Sequence, residues 1–248
     1  MSTCNIHSIE SLAARDGDGV RCAVFFCGCP LRCVYCHNPD TWHQSGNEMS
    51  AEKLANKLVR YKPYFKTDGG VTFSGGEPLL HASYINEVAS ILKEKDVNYM
   101  LDTSGCVDLT DDVKTALKNA QGILLDLKFY NAEKFEKYCK GDFDKLLTFI
   151  DYCKEINVRI TLRTVIVPGI NDSEEEIEKY AEFAKRIAPE KYELLPFHTM
   201  GFFKYKELGI ENPLEHLKAL SPERKDELQK YLDELMAESG GNKICSEK

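Results

Sequence analysis

Short apolar runs alternate with amphipathic stretches along the chain. Runs rich in Val, Ile, Leu, Phe and Tyr, bounded by Gly, Pro or Asn, are typical of β-strands. The predicted strands cover residues 20–27, 70–73, 99–102, 122–129, 159–167 and 192–196. Apolar residues at helical spacing between and after these runs predict α-helices over residues 51–61, 83–95, 112–119, 143–155, 173–186 and 222–237.

Capping residues support the ends of two of these helices. Ser173 followed by Glu176 has the form of a capping box. Ser221 before Pro222 places a good N-cap ahead of a proline in the first helical turn. Glycines at 240–241 are expected to end the last helical region.

The alternation of strands and helices predicts a parallel sheet with crossover helices. A closed barrel of eight units also takes about 250 residues, but only six units are recognisable here. We therefore predict an α/β fold, an open, partial (β/α)6 barrel of the TIM type with parallel strands. We expect one domain over 1–248, with a cysteine-rich loop at 28–42 and a C-terminal loop and helix at 199–248.

Composition and charge exclude some classes of function. The chain has 248 residues, of which 43% are hydrophobic and 29% are charged, as in ordinary globular proteins. Its net charge of −8 argues against non-specific nucleic-acid binding, which needs a basic face. The N-terminal residues lack a basic region followed by an apolar run, and no apolar stretch is long enough to span a membrane. We expect a cytoplasmic protein.

Three of the ten cysteines, Cys29, Cys33 and Cys36, have the spacing C-x3-C-x2-C. In a reducing compartment, clustered thiols more often bind metal than form disulfides. A structural zinc site, or an iron–sulfur cluster that only transfers electrons, usually takes four protein ligands. Three thiolates therefore favour a [4Fe–4S] cluster with one iron open to a small chelating ligand. The alternative is a zinc site that adds His37, although adjacent Cys36 and His37 are awkward ligands for one tetrahedron.

The other cysteines are scattered, and we expect each to be a small buried hydrophobic residue. They are Cys4, Cys22, Cys27, Cys106, Cys139, Cys153 and Cys245.

Polar residues gather where the predicted strands end, which is where parallel α/β folds bind ligands. After the second strand, a Gly-Gly-Glu turn ends in Glu77. The Glu77 carboxylate could accept a hydrogen bond from an ammonium group, or the residue could only mark the start of the next helix. Asp102 and Asp126 could share a cation, or Asp126 could pair with Lys128 on the same strand face. Arg163 could bind a carboxylate. The last strand ends near His198, which on its own is more often a structural histidine.

Taken together, these motifs resemble the radical S-adenosylmethionine (SAM) superfamily and, within it, the activating enzymes of glycyl radical enzymes. The family usually has Asp-Gly-Pro-Gly where this chain has Asp18 at the third position of 16–19. The motifs that carry the resemblance are IHSIES (6–11), DGDGVR (16–21), GCPLRCVYCHNPDTW (28–42), SGGEPLL (74–80), LDTSG (101–105), LLDLK (124–128), RTVIVPGIND (163–172) and ELLPFHTMG (193–201).

The resemblance implies a [4Fe–4S] cluster on Cys29, Cys33 and Cys36, with SAM on the open iron. It implies a monovalent cation near Asp102 and Asp126. The cofactor-binding residues implied are Tyr35, Cys36, His37, Gly75, Gly76, Glu77, Asp102, Thr103, Asp126, Leu127, Lys128, Arg163 and His198.

The resemblance also implies the reaction and the partners. Flavodoxin or ferredoxin would reduce the cluster, SAM would be cleaved, and the resulting 5′-deoxyadenosyl radical would take a hydrogen atom from a glycine Cα of a partner. That partner would be a glycyl radical enzyme of the pyruvate formate-lyase type, and the activase itself would be a monomer. No general acid or base is expected. Phe202, Phe203 and Tyr205 lie in a predicted loop after the last strand, and we expect them to contact the glycine-bearing segment.

Three alternatives remain open at this point. The first is an activase of a different glycyl radical enzyme. Residues 37–74 contain no cysteine, so the cluster-bearing insert of many such activases is absent. The second is a radical SAM enzyme that acts on a small molecule. The third is a non-catalytic zinc or iron–sulfur module that senses redox state.

Overall fold

The structure is a computed structural model, and it describes residues 2–43 and 46–238. The strands are β1 (Thr3–Ala13), β2 (Arg21–Phe26), β3 (Asn47–Ser50), β4 (Gly70–Gly75), β5 (Tyr99–Thr103), β6 (Gly122–Asp126), β7 (Ile160–Ile166) and β8 (Lys191–Pro196). The helices are α1 (Ala51–Val59), α2 (Lys62–Phe65), α3 (Ala82–Glu94), α4 (Asp111–Asn119), α5 (Ala132–Cys139), α6 (Phe143–Glu155), α7 (Glu174–Ile187), α8 (Phe202–Leu208) and α9 (Pro222–Glu238).

These strands form one sheet in the order β3-β1-β2-β4-β5-β6-β7-β8. The six strands from β2 to β8 in this order pair in parallel, and β1 pairs antiparallel with both β2 and β3. The two ends of the order, β3 and β8, are separate edges, so the barrel is open. The predicted partial barrel of six parallel strands is confirmed.

The two antiparallel strands were not predicted. Most of β1 is exposed or half-buried, and its sequence lacks the apolar run that marks the parallel strands. The four residues of β3 include none that is fully buried. Strands of this kind are held by backbone pairing with their neighbours rather than by an apolar side-chain pattern. Three short helices, α2, α5 and α8, were also missed.

Several predicted boundaries shift. The strand predicted over 122–129 ends at Asp126, because the next amide, that of Leu127, turns to bond with the carbonyls of Leu125 and Arg163. Ser173 accepts from the amide of Glu176, as predicted, but the Glu176 carboxylate accepts from the Tyr130 hydroxyl instead of returning to the cap.

At the last helix, Ser221 accepts from the amide of Arg224, so the predicted N-cap of α9 is confirmed. The glycines at 240–241, expected to end this helix, lie outside the described residues.

The cysteines outside the loop behave as expected where they are described. Cys4, Cys22, Cys27, Cys106, Cys139 and Cys153 are all buried, and Cys245 lies outside the described residues. No helix in the described part of the chain has the length and apolar character needed to cross a membrane.

Arg21 anchors the amino end of the parallel strands, opposite the end where ligands are expected. Its side chain is fully buried and donates to the Thr72 hydroxyl, to the side-chain oxygen of Asn98 and to the carbonyls of Asp18 and Val71. Because these acceptors are uncharged, burial dominates and lowers the pKa of Arg21 to about 10.

We expect Arg21→Met to lower the free energy of unfolding on the order of 3 kcal/mol, since several buried acceptors lose their donor. Urea unfolding measures this, with Arg60→Met as the control because Arg60 is exposed. Equal unfolding midpoints for the two variants would contradict the anchoring role.

Candidate functional site

A cavity of about 290 Å³ lies at the carboxyl ends of the parallel strands. Its walls come from the cysteine loop, from the ends of β4, β5 and β6, and from the segment after β8. The predicted site residues that line it are Cys29, Cys33, Tyr35, Cys36, His37, Gly75, Gly76, Asp102, Thr103, Asp126, Lys128 and His198. Twelve of the predicted residues therefore converge on one cavity, as the strand-end argument required.

The cysteine loop is fixed at both ends by backbone hydrogen bonds. Gly28, with a φ of +92° that favours glycine, donates to the carbonyl of Thr41 at 2.7 Å. In the middle of the loop, Arg32 and Val34 donate to the carbonyls of Cys139 and Tyr138 at the end of α5. The loop is thus held against α5, one of the three short helices that sequence analysis missed.

Of the three loop thiols, Cys33 is buried, and Cys29 and Cys36 are half-buried. Burial raises the pKa of Cys29 to about 12 and that of Cys36 to about 11. A hydrogen bond with Cys139, together with burial, raises the pKa of Cys33 well above its usual value. Metal ligation by these thiols requires their deprotonation, so loading would release protons.

The Gly-Gly turn after β4 brings backbone close to the cysteine loop. Gly75 has a φ of +113°, and a Cβ there would lie 2.2 Å from the amide nitrogen of Phe26. A Cβ on Gly76 would lie 2.1 Å from the carbonyl oxygen of Gly28. Both contacts are far inside van der Waals distance, so only glycine allows this approach.

Glu77 does not face the cavity in this structure. Its buried carboxylate accepts from the Thr103 hydroxyl at 2.7 Å, the Ser104 hydroxyl at 2.6 Å, the Ser104 amide at 3.0 Å and the Leu79 amide at 3.2 Å. Burial raises its pKa, and these donors partly offset that effect. The carboxylate therefore holds residues 103–104, which line the cavity, and the predicted ammonium contact stays a prediction.

A network of ionisable groups joins the ends of β5, β6 and β7. Arg163 donates to Asp102 at 2.7 Å and to Asp126 at 3.3 Å, and Lys128 donates to Asp126 at 2.7 Å. Ser74 at the end of β4 donates to Asp102 at 2.6 Å. With all four charged groups ionised, the two carboxylates and two cations balance.

The pKa values of the two carboxyl groups in this network shift in opposite directions. Burial opposes ionisation of Asp126, but Lys128 and Arg163 outweigh it and hold its pKa below the usual value. Burial raises the pKa of Asp102, and Arg163 offsets this only in part. The ion pair between Asp126 and Lys128, one of the two possibilities considered from the sequence, is present. Both residues also line the cavity.

Helix α8 packs on the cysteine loop. The Tyr205 hydroxyl donates to the carbonyl of Cys36 at 2.9 Å, and the Lys204 ammonium bonds to Asp40 at 2.9 Å. Before the helix, the ring of His198 meets that of His37 edge to face at 4.3 Å. The buried Nδ1 of His198 has no hydrogen-bond partner among the described residues, so this atom is available to a bound molecule.

Three predicted residues lie behind the cavity wall. Arg163 bonds to Asp102 and Asp126, which line the cavity. Glu77 accepts hydrogen bonds from residues 103–104, which also line it. Leu127 is fully buried, and its carbonyl accepts from the Thr164 hydroxyl at 2.9 Å. The prediction missed Asp16 and Ser104, which line the cavity. Asp16 stands in the 16–21 motif without an assigned role, and Ser104 directly follows a strand end.

A family model described as the radical SAM superfamily matches residues 23–184. The chain belongs to the radical SAM superfamily. The family implies a [4Fe–4S] cluster and SAM as cofactors. The matched range covers the cysteine loop, the glycine turn and the charged network of the cavity.

Relatives resemble the chain over nearly its whole length. It is 42% identical over 237 residues to the pyruvate formate-lyase-activating enzyme of Clostridium pasteurianum, covering 93% of this chain and 98% of that protein. It is 37% identical over 241 residues to the enzyme of the same name from Staphylococcus epidermidis, covering 92% and 95%.

Solved structures support the fold. Streptococcus suis SuiB bound to S-adenosylmethionine matches with a TM-score of 0.66 at 15% identity, over 86% of this chain and 46% of that chain. This chain thus corresponds to less than half of SuiB. A domain of pyruvate-formate lyase-activating enzyme from Bacteroides vulgatus matches with a TM-score of 0.53 at 23% identity, over 67% and 94%.

The cavity fits the cofactors that the family implies. Three soft thiol donors line it, and the glycine turn leaves backbone exposed in the same wall. The unpartnered Nδ1 of His198 and the charged groups at the strand ends offer polar contacts for a zwitterionic molecule. In the described part of the chain, no three His, Cys, Asp or Glu side chains are grouped as ligands of a single metal ion.

We expect Glu77→Gln to lower the free energy of unfolding by about 1–3 kcal/mol, because an amide cannot accept from all four donors. SAM affinity should fall as well, since residues 103–104 lose their support. Chemical unfolding and SAM titration measure the two effects, with exposed Glu52→Gln as the control. Weaker SAM binding at an unchanged unfolding midpoint would instead assign Glu77 to the ligand alone.

Proposed function

We propose that the chain is a glycyl radical activating enzyme that acts on pyruvate formate-lyase. The observation that carries this is the 42% identity to a relative of that name, spanning 93% of this chain and 98% of the relative. Agreement over this length includes the regions outside the family model, residues 1–22 and those after 184. The absence of cysteines from 37–74 also favours this type of activase.

We assign a role in cofactor binding to each group of cavity residues. Cys29, Cys33 and Cys36 would hold the cluster through three irons and leave the fourth for the amino and carboxylate groups of SAM. When bound, the two cofactors would supply a one-electron cleavage of SAM and a carbon radical that takes a hydrogen atom from glycine. The protein binds, orients and excludes water, and no side chain is assigned as a general acid or base.

The remaining contacts to SAM are proposed for two regions of the cavity. Backbone of the Gly75–Gly76 turn would accept from the SAM ammonium, and Lys128 would face the carboxylate. His37 and His198 are in ring contact, and both line the cavity together with Tyr35. The buried Nδ1 of His198, which has no partner among the described residues, supports a contact to SAM there.

A monovalent cation is proposed beside Asp102 and Asp126. In this structure Arg163 and Lys128 already balance these carboxylates. A cation could therefore bind only as the anionic carboxylate of SAM enters and draws Lys128 towards itself. The proposal thus makes cation affinity dependent on SAM.

The physiological setting is proposed from the same resemblance. Flavodoxin or ferredoxin would donate the electron, the enzyme would act in the cytoplasm of an anaerobic cell, and it would work as a monomer.

Anaerobic reconstitution followed by electron paramagnetic resonance tests the function. Wild type, SAM, a one-electron reductant and pyruvate formate-lyase should give a glycyl radical signal on the partner. Cys33→Ala should lose the iron and the signal, because the cluster then has two protein ligands. Cys153→Ala is the matched control, since Cys153 is also buried but lies in α6.

Two results would contradict the proposal. Full iron and sulfide loading of Cys33→Ala would remove the ligand assignment. A loaded wild type that cleaves SAM but leaves the partner without a glycyl radical would redirect the activity to another substrate.

Helix α8 offers a test of partner contact. The predicted aromatic anchors differ in accessibility, because Tyr205 is buried and Phe202 packs on Phe197, whereas Phe203 is 57% exposed. Phe203 is therefore the one predicted anchor that stays accessible, and the 70% exposed Met200, which was not predicted, is added to it.

We expect Phe203→Ala to raise the concentration of partner needed for half-maximal radical formation several-fold and to leave SAM affinity unchanged. Lys206→Ala is the control on the same helix, since Lys206 is also exposed. Wild-type partner dependence in Phe203→Ala would exclude this surface.

A further inference from the structure

Lys128 lies two residues beyond the end of β6 and lines the cavity, where its ammonium bonds to Asp126 at 2.7 Å. Beyond the strand, the backbone carbonyls need donors from elsewhere in the protein. The carbonyl of Leu127 accepts from the Thr164 hydroxyl at 2.9 Å. The carbonyl of Lys128 accepts from the Tyr180 hydroxyl at 2.9 Å. Two hydroxyl groups from later elements therefore hold two consecutive peptide units.

Tyr180 reaches Lys128 from the middle of α7. Its side chain is fully buried, so its hydroxyl must complete its hydrogen bonds within the protein. A carbonyl can only accept, so the one hydrogen of this hydroxyl goes to Lys128. The hydroxyl oxygen accepts in turn from the side-chain amide of Asn171 at 3.2 Å. Tyr180 is therefore held from one side by Asn171 and holds Lys128 on the other.

Every polar atom of the buried Asn171 side chain has a partner. Its oxygen accepts from the Val167 amide at 2.7 Å, which fixes the orientation of the side-chain amide. The amide nitrogen has two hydrogens, and it donates to the carbonyl of Val165 at 3.0 Å and to the Tyr180 hydroxyl. The chain from Asn171 through Tyr180 to Lys128 thus has one hydrogen for each acceptor.

We propose that Tyr180 is a positioning residue, whose hydroxyl fixes the peptide unit of Lys128 so that the ammonium stands in the cavity wall where SAM would place its carboxylate. A lysine ammonium sits on a flexible four-carbon stem, so its place depends on a fixed backbone and on a partner at its tip. Tyr180 supplies the first and Asp126 the second. Tyr180 does not itself line the cavity, so it acts through Lys128 and not on the ligand.

A buried hydroxyl bond also stabilises a fold, so a loss of stability alone does not reveal a positioning role. Tyr99 offers a matched comparison. It is buried, and its hydroxyl donates to the carbonyl of Ala116 in α4 at 2.7 Å. Neither Tyr99 nor Ala116 lines the cavity. Replacing either tyrosine by phenylalanine removes one buried bond to a carbonyl, but only one of the two bonds leads to Lys128.

The inference rests on the proposed contact between Lys128 and SAM, and the experiment separates the two. Tyr180→Phe, Lys128→Met, the double variant and the control Tyr99→Phe are reconstituted anaerobically. Iron content and urea unfolding are measured first. Equilibrium dialysis then gives the dissociation constant of SAM for each protein. Wild type, the two single variants and the double variant form a double-mutant cycle.

We expect Tyr180→Phe and Tyr99→Phe to keep the cluster and to lower the urea midpoint alike. The dissociation constant of SAM should rise about fivefold in Tyr180→Phe and stay within about twofold of wild type in Tyr99→Phe, since one hydrogen bond is removed in each. In the Lys128→Met background, Tyr180→Phe should cause no further loss of SAM affinity, because the side chain that it positions is gone.

Unchanged SAM affinity in Tyr180→Phe, beside weakened affinity in Lys128→Met, would overturn the inference and leave the role of Lys128 intact. An undiminished further loss in the double variant would show that Tyr180 acts by another route. Equal losses of SAM affinity in Tyr180→Phe and Tyr99→Phe would assign the effect to a loosened fold, as would a Tyr180→Phe protein that takes up no iron. Wild-type SAM affinity in Lys128→Met would contradict the proposed contact of Lys128 and the inference with it.

Discussion

The buried ion pairs of Arg163 determine the geometry of the cavity floor. One guanidinium on β7 bonds to Asp102 on β5 and to Asp126 on β6. The strand register places Arg163 opposite Asp126, and Ser74 extends the connection to β4 through Asp102. Loss of one member of such a buried set leaves an uncompensated charge and typically costs about 3–5 kcal/mol. The ends of four neighbouring strands are thus held in one arrangement.

The walls of the cavity depend on the glycine turn after β4, where backbone segments approach closely, and on α8, which comes late in the chain. Gly76 lets the turn after β4 approach Gly28 of the cysteine loop, and Gly75 lets it approach Phe26 at the end of β2. A Cβ at either position would clash with that backbone. Tyr205 in α8 binds the carbonyl of Cys36, so a segment far along the chain fixes the last cysteine of the motif. Parallel topology explains this convergence, because each strand delivers its carboxyl end to the same edge.

Most of the parallel sheet and the position of the site followed from sequence, because apolar strand runs and polar strand ends are local signals. The antiparallel strands β1 and β3 did not, since they carry no apolar run and depend on backbone pairing. Glu77 shows a second limit. Its position after two glycines was recognised, but sequence does not reveal that Thr103 and Ser104 lie close enough to occupy its carboxylate. Cys139 was grouped with other buried cysteines, because the hydrogen bond from the Arg32 amide to its carbonyl is a tertiary contact that the sequence does not reveal.

The central claim is that SAM completes the coordination left open by three cysteines. Electron–nuclear double resonance on the reduced enzyme with SAM labelled by ¹⁷O in its carboxylate tests this most directly. The account predicts a coupling between the label and the cluster, which is lost when SAM is omitted. Bound SAM without such a coupling, in a protein with a fully loaded cluster, would contradict the account.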